Sequence, residues 1–139
     1  MGFQNPADEE IKELLAKSKT IAVVGLSDRP ERDSHRVARY LKENGYRIIP
    51  VNPRLKEALG EKAYPDLASI PEKVDIVNIF RRSEEVPAVV EDALLKKPAA
   101  IWMQLGVVNG EAAAVAKKQG VQVVMDRCIM VEHGRLIPK

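Results

Sequence analysis

The most constraining feature of this chain is a segment in which a buried strand, a loop, a helix and a second buried strand follow one another. The segment runs from Thr20 to Pro53 and reads TIAVVGLSDRPERDSHRVARYLKENGYRIIPVNP. Its first apolar run stops at Gly25, a helical pattern opens near Ser34, and Asn44-Gly45 ends the helix before the second apolar run. This order is typical of a parallel β-α-β crossover, a unit that binds nucleotides at the loop after its first strand.

The rest of the chain continues the alternation of strands and helices. An amphipathic helix is predicted over residues 8–17. An irregular stretch is predicted over residues 54–71, with one short helix or turn and a short extended piece at residues 63–65. Ser83 and the glutamates after it predict the start of a helix that ends near Lys97, and Asn109 predicts the N-cap of a helix that ends near Gln119. Three further strands are predicted at residues 74–80, 100–103 and 121–125.

These elements predict one α/β domain over residues 1–139, of which residues 1–19 form an N-terminal helical segment. The fold class is a Rossmann-like, doubly wound, five-stranded parallel sheet with helices on both faces. The simplest strand order is 3-2-1-4-5. That order places the switch point between strands one and four, and the ligand crevice beyond their carboxyl ends.

Composition argues against several classes of protein. The 22 Lys and Arg residues nearly balance the 20 Asp and Glu residues and are spread along the chain, which does not favour a nucleic-acid partner. No apolar run approaches a membrane span, and no signal-peptide pattern opens the chain. Cys128 is the only cysteine, which favours the reducing cytoplasm, and no Cys and His cluster at the spacing of metal ligands.

The loop after strand one lacks the usual Gly-x-Gly-x-x-Gly fingerprint, because Leu26 and Ser27 follow Gly25. Glycine still allows a sharp turn or a close approach of a phosphate. The first backbone N–H groups of the helix, near Ser34 and the residues after it, carry partial positive charge toward the same loop. The alternative is a plain strand-to-helix turn in which Ser34 is the N-cap.

The end of strand two bears on the choice of cofactor. An NAD site usually has an acidic residue there to hold the ribose hydroxyls, whereas this chain has Asn52 followed by Arg54 and Lys56. Cations at that position favour a ribose with an extra phosphate, as in NADP or coenzyme A (CoA). The alternative is that both cations are ordinary solvated loop charges.

The segments IAVVGLSDRPERDSHRVARYL, YRIIPVNP, VDIVNIFRRSEEVP, IWMQLGVVN and VMDRCIMVEH together resemble the CoA-binding domain family, and the likeness extends from about Thr20 to Pro138. The family is related to the N-terminal domain of the succinyl-CoA synthetase α subunit, and the chain looks most similar to the family's small stand-alone bacterial members. The resemblance implies a Rossmann-like fold and a site for CoA or an acyl-CoA. It also implies binding without ligase activity, because nothing here matches the phosphorylated histidine of the synthetase.

The resemblance implies which residues contact the ligand. The loop after strand one and the start of the helix would hold the ligand's phosphates, and the end of strand two would hold its adenosine. The end of strand three would flank the ligand, and the end of strand four would face its pantetheine arm. In that order the residues are Gly25, Leu26, Ser27, Ser34, His35 and Arg36; Val51, Asn52, Pro53 and Arg54; Phe80, Arg81 and Arg82; and Gln104 and Gly106.

Other functions stay open from sequence. The competing hypotheses are an NADP-dependent oxidoreductase, a nucleotide-binding redox sensor module, and an interaction module that binds no nucleotide. A CoA-binding protein of this kind would serve a partner enzyme chain or act as a homodimer. Cys128 follows strand five, where one hypothesis is that its thiol forms a mixed disulfide with CoA. The alternative, which is favoured, is a small, half-buried residue without such chemistry.

Overall fold

The computed structural model describes residues 3–138 and contains a five-stranded parallel sheet with helices on both faces. The predicted fold class is therefore confirmed. The elements, in chain order, are α1 (Asp8–Lys17), β1 (Thr20–Val24), α2 (Asp33–Glu43), β2 (Arg47–Val51), β3 (Glu57–Ala58), β4 (Glu61–Lys62), β5 (Ile76–Ile79), a 3₁₀ turn (Ser83–Glu85), α3 (Val86–Leu94), β6 (Ala100–Met103), α4 (Gly110–Lys118), β7 (Gln122–Val124) and α5 (Ile129–Leu136).

The parallel sheet has the order β2-β1-β5-β6-β7. The predicted order 3-2-1-4-5 is wrong in the position of its third strand, which is β5. The prediction placed this strand outside β2, whereas in the structure it lies beside β1, with Ile21 opposite Ile76. The outer place beside β2 is taken by Tyr64, which forms a parallel bridge with Val51 and so confirms the predicted extended piece. The switch point is consequently between β1 and β5, where the chain reverses its direction of winding.

Two hydrophobic cores flank the sheet. One lies between the sheet and α3 and α4, and the other between the sheet and α1, α2 and α5. The second core explains α1 and α2, because their apolar residues recur at helical spacing and are buried there. In α1 these residues are Ile11, Leu14 and Leu15, and in α2 they are Val37, Ala38 and Leu41.

Two elements were not predicted. The irregular stretch contains a small hairpin, β3–β4, whose turn residues Leu59 and Gly60 both have positive φ angles (54° and 75°), as a two-residue hairpin turn requires. The helix α5 was also missed. Its buried face includes Glu132 and His133 beside Ile129, so its apolar periodicity is weak.

Candidate functional site

Three clefts open along the carboxyl edge of the parallel strands. The loop cleft, of about 580 Å³, is lined by Gly25, Ser27, Arg29, Glu31, Arg32, Asp33, Ser34 and Phe80. The α5 cleft, of about 390 Å³, is lined by Asp33, Arg36, Val37, Phe80, Gln104, Leu105, Val107, Cys128, Met130 and Val131. The β2 cleft, of about 210 Å³, is lined by Val24, Val51, Pro53, Pro65, Asp66, Leu67, Arg81, Ala88, Val89 and Asp92. Ligands of α/β sheets bind at this edge, beside the switch point.

Gly25 brings the ends of β1 and β5 close together. Its φ angle is 89°, and a Cβ built on it would lie 2.2 Å from the carbonyl oxygen of Phe80. Only glycine fits both constraints without displacing the backbone. The missing side chain therefore leaves room for the Phe80 backbone, and the predicted close approach of a phosphate at Gly25 stays a prediction.

A hydrogen bond ties the loop to the start of α2. The Ser27 N–H donates to Oγ of Ser34 at 3.0 Å, and the Arg29 N–H donates to Oγ of Ser27 at 3.1 Å. The N-cap of α2 is Arg32, so Ser34 is not the N-cap but lies inside the first turn. Since the first intrahelical bond is donated by Arg36, the N–H groups before it have no intrahelical acceptor and face outward at the helix start.

Several arginines at the carboxyl edge are free of ion pairs within residues 3–138. They are Arg29, Arg32, Arg54 and Arg81. Arg36, by contrast, pairs with Asp33, and Arg82 lies 3.9 Å from Glu85. The edge also carries acidic groups, since Glu31 and Asp33 line the loop cleft. The unpaired guanidinium groups make this edge suited to an anionic ligand.

The α5 cleft adjoins the loop cleft, because Phe80 and Asp33 line both. Its walls are mostly apolar and come from α2, the β6–α4 loop and α5. Its polar lining includes the Gln104 side chain and the half-buried thiol of Cys128. Whether Cys128 forms a disulfide with CoA stays a hypothesis.

The end of β2 is fixed to the loop after β1. Asn52 donates from Nδ2 to the carbonyl oxygen of Leu26 at 3.0 Å and accepts the Arg54 N–H at 2.9 Å through Oδ1. The Asn52 side chain is thereby engaged with the protein itself. Pro53 and Arg54 are exposed beside it, and Pro53 lines the β2 cleft.

Most of the predicted site residues lie at this edge of the sheet, but some of their side chains point away from the clefts or are occupied by other contacts. Leu26 is fully buried and offers only backbone atoms. His35 is 8% exposed, does not line these clefts, and its Nδ1 has no hydrogen-bond partner among residues 3–138. Gly106 is exposed and donates its N–H to Asp126 at 2.7 Å. The predicted ligand contacts themselves stay predictions.

Sequence reasoning missed the part of the α5 cleft that α5 contributes. Met130 and Val131 line it, together with Leu105 and Val107 from the loop after β6. Val131 and Leu105 are 57% and 68% exposed and line the same cleft, so together they form an exposed apolar patch. The apolar residues next to the strand end could have indicated this wall, but only if the helix α5 had been predicted.

The clearest internal charge cluster lies on α5. Glu132 is buried and accepts hydrogen bonds from Arg127 and Arg135, at 3.0 Å each, and the bond from Arg135 is the main cause that lowers the pKa of Glu132. Burial lowers the pKa of His133, whose Nδ1 lies 2.8 Å from the Tyr40 hydroxyl. Arg135 also binds Asp8 through two bonds of 2.8 Å, so the cluster joins α5 to α1.

Two other kinds of site are not found in the part of the chain that the structure describes. Among residues 3–138, no group of three or more His, Cys, Asp or Glu side chains is arranged to hold a metal ion. Within the same range, no helix combines the length and the apolar character that crossing a membrane requires.

Comparison with known proteins identifies the family. Residues 19–134 match the family model described as CoA binding domain. The chain therefore belongs to the CoA-binding domain family, and the resemblance inferred from its sequence is confirmed.

The relatives are of two sizes. The uncharacterized protein YneT of Bacillus subtilis is 53% identical over 132 residues, which cover 95% of this chain and 98% of YneT. Acetate–CoA ligase [ADP-forming] I of Archaeoglobus fulgidus is 28% identical over 127 residues, which cover 84% of this chain but 18% of the ligase. The matched segment thus spans less than a fifth of that ligase.

Solved structures show the same two groups. A hypothetical protein from Pyrococcus horikoshii OT3 is 40% identical with a TM-score of 0.92, and the match covers 99% of this chain and all of that one. The dinucleotide-forming acetyl-coenzyme A synthetase 1 of Ca. Korarchaeum cryptofilum is 26% identical with a TM-score of 0.69, covering 78% of this chain and 26% of the synthetase.

Proposed function

We propose that this protein binds CoA or an acyl-CoA along the carboxyl edge of its sheet and does not itself catalyse ligation. The observation that carries the proposal is the loop cleft at the β1–β5 switch point, which is lined by Gly25, the start of α2 and unpaired arginines. Backbone N–H groups at a helix start, with guanidinium groups nearby, are suited to bind a pyrophosphate.

The neighbouring clefts fit the two ends of such a ligand. On one side of the switch point, the β2 cleft has Val51, Pro53 and Arg81 in its lining, which suits a flat adenine with a cation nearby. On the other side, the α5 cleft shares Phe80 with the loop cleft and continues along apolar walls. A pantetheine arm that leaves the pyrophosphate would run along those walls.

Arg54 supports a ligand that carries a phosphate on its ribose. It lies three residues after the end of β2, is exposed, and forms no ion pair within residues 3–138. The 3′-phosphate of CoA would give it a partner through a charge-assisted hydrogen bond. The 2′-phosphate of NADP offers similar chemistry, so NADP is the ligand to test against CoA.

The far end of the α5 cleft supports an acyl group on the thiol. Leu105 and Val131 are exposed there, and Met130 lies beside them in the lining. An apolar acyl chain would cover these side chains and remove them from water. Free CoA would leave them exposed, so acyl-CoA is expected to bind at least as well.

The role that follows is to buffer CoA or to deliver it to a partner enzyme chain or a second copy of the protein. We place this role in the reducing cytoplasm, because the single cysteine is an unpaired thiol. The large relatives are named as acetate–CoA ligases, which supports a link to CoA metabolism.

Calorimetric titration with CoA, dephospho-CoA, NADP and NAD tests the proposal. We expect CoA to bind, and dephospho-CoA to bind about tenfold more weakly because it lacks the phosphate that Arg54 would contact. Binding of NADP but not of CoA would contradict the proposal and favour an oxidoreductase. No heat from any of the four ligands would favour a module that binds no nucleotide.

A further inference from the structure

A buried amide pair connects the centre of the sheet to the α5 cleft. Asn78 is fully buried in β5, on the face covered by α1, α2 and α5, and it lies in register with Val23 and Trp102. Its Nδ2 donates to Oε1 of Gln104 at 3.1 Å. Asn78 is a polar residue in a strand whose other members, Ile76, Val77 and Ile79, are apolar.

A backbone donor fixes the orientation of the Gln104 amide. The Ile129 N–H, at the first residue of α5, donates to Oε1 of Gln104 at 3.3 Å. A backbone N–H can only donate, so the oxygen of Gln104 has to face it. The same oxygen faces Asn78, which must then present its NH₂ group.

This arrangement determines which atoms remain without partners. Oδ1 of Asn78 is buried and accepts no hydrogen bond from any of residues 3–138. Nε2 of Gln104 also has no partner in that range, yet it is not a buried atom, and Gln104 lines the α5 cleft although the residue is 6% exposed. The glutamine therefore turns its NH₂ group, a pure donor, toward the cleft.

An unsatisfied buried oxygen lowers stability, and a leucine at position 78 would avoid that cost. We propose that Asn78 is a positioning residue that holds Gln104 so that Nε2 donates to a carbonyl oxygen of the ligand in the α5 cleft. The inference rests on the proposed function, in which the pantetheine arm lies there. That arm supplies amide carbonyl oxygens, and an acyl thioester supplies one more.

The test compares CoA with adenosine 3′-phosphate 5′-diphosphate, which keeps the nucleotide and pyrophosphate but lacks the pantetheine arm. Asn78→Leu should weaken CoA about fivefold, the factor of one neutral hydrogen bond of about 1 kcal/mol. The same change should leave the truncated ligand within about twofold. Val77→Leu, which alters packing on the opposite face of the same strand, is the control and should not distinguish the two ligands.

Two further variants separate positioning from packing. If Asn78 acts through Gln104, the double variant Asn78→Leu/Gln104→Leu should bind CoA no more weakly than Gln104→Leu alone. A purely structural asparagine would give additive losses, weaken both ligands equally, and lower the melting temperature, whereas we expect Asn78→Leu to melt no lower than the wild type. Gln104→Leu removes the Nε2 donor itself, so it should weaken CoA more than the truncated ligand.

The outcomes are distinguishable. If the wild type binds CoA and Asn78→Leu binds it equally well, the positioning role is wrong and the proposed function stands. If Asn78→Leu does not fold, Asn78→Ala takes its place, because it also removes the bond to Gln104, and equal losses for the two ligands in Asn78→Ala would overturn the inference. If the wild type binds neither ligand, the proposed function and this inference fail together.

Discussion

Gly25 shows how a single residue can serve the fold and the site together. Its positive φ and its contact with the Phe80 carbonyl mean that any side chain strains the switch point. A substitution there would therefore damage the sheet before it reported on phosphate binding. The two effects have to be separated by a control that carries the same backbone strain.

Gly120 offers that control, because its φ is 81° and nothing lies within 4 Å of a built Cβ. Gly120→Ala should cost about 1–2 kcal/mol, the usual penalty of the left-handed conformation. Gly25→Ala should cost clearly more, because it adds the clash with Phe80. Urea unfolding of both variants measures the difference, and equal losses would show that the switch point relaxes around the new methyl group.

Arg54 is the residue on which the choice of nucleotide depends. Arg54→Ala should weaken CoA by about tenfold or more and leave dephospho-CoA nearly unchanged, since a charge-assisted contact is worth about 1.5–3 kcal/mol. Arg39→Ala is the matched control, because Arg39 is an exposed arginine of α2 that also lacks an ion pair within residues 3–138. Calorimetry gives both affinities, and a similar loss for both ligands would place Arg54 away from the 3′-phosphate.

At the scale of elements, α1 and α5 are held together by charge. Arg135 donates to Asp8 and Glu132, and Arg127 donates to Glu132. The hydrogen bond from Arg135 lowers the pKa of Glu132 below its ordinary value of 4.5. Because the folded pKa is the lower one, the stabilisation is present above pH 4.5 and is lost as the pH falls through the folded value.

Glu132→Gln should therefore make the protein less stable near neutral pH and flatten the acid side of its stability profile. We expect a loss of about 1 kcal/mol at pH 7, because both arginines are partly exposed. Thermal unfolding between pH 7 and pH 3 measures the slope. The control is Glu91→Gln, on the exposed face of α3, which should keep the wild-type dependence of stability on pH. If Glu132→Gln also kept the wild-type dependence, the loss of stability in acid would come from other carboxylates.

The elements also show which parts of the fold can be read from sequence. The bounds of α1 and β6 match the predictions at 8–17 and 100–103, because each has strong apolar patterning and a clear boundary. Strand order was not predictable in the same way, because it depends on which segment occupies the edge beside β2. Tyr64 occupies that position through a single bridge made of two backbone hydrogen bonds, and one bridged residue leaves no periodic pattern in the sequence.

The candidate site also has a part that the sequence predicts and a part that it does not. Gly25, Ser27 and Ser34 follow from the β-α-β pattern alone, and the structure places all three in the loop cleft. The wall from α5 does not follow from the sequence, because Glu132 and His133 replace apolar residues on the helix's buried face. A helix whose buried face is satisfied by arginine and tyrosine partners has no simple hydrophobic period.

For the whole molecule, we expect binding without turnover. Purified protein given acetate, CoA and ATP should form no acetyl-CoA, and it should not oxidise NADPH. His35 is buried away from these clefts, His133 is bound to Tyr40, and the sequence contains no Gly-x-x-x-x-Gly-Lys-Ser/Thr motif. An acetate–CoA ligase assayed in parallel is the positive control, and product formed by this chain alone would contradict the binding role.

The contact between Asp8 and Arg135 has a consequence for how the chain can be rearranged. Because α1 and α5 lie side by side, a short linker could join the first helix to the last, and the chain could be opened instead at the Leu59–Gly60 turn of the β3–β4 hairpin. Such a circular permutant would leave all five parallel strands unbroken. Because α1 and α5 lie side by side, this domain is also suited to insertion within a longer polypeptide, since the linkers before α1 and after α5 would start close together.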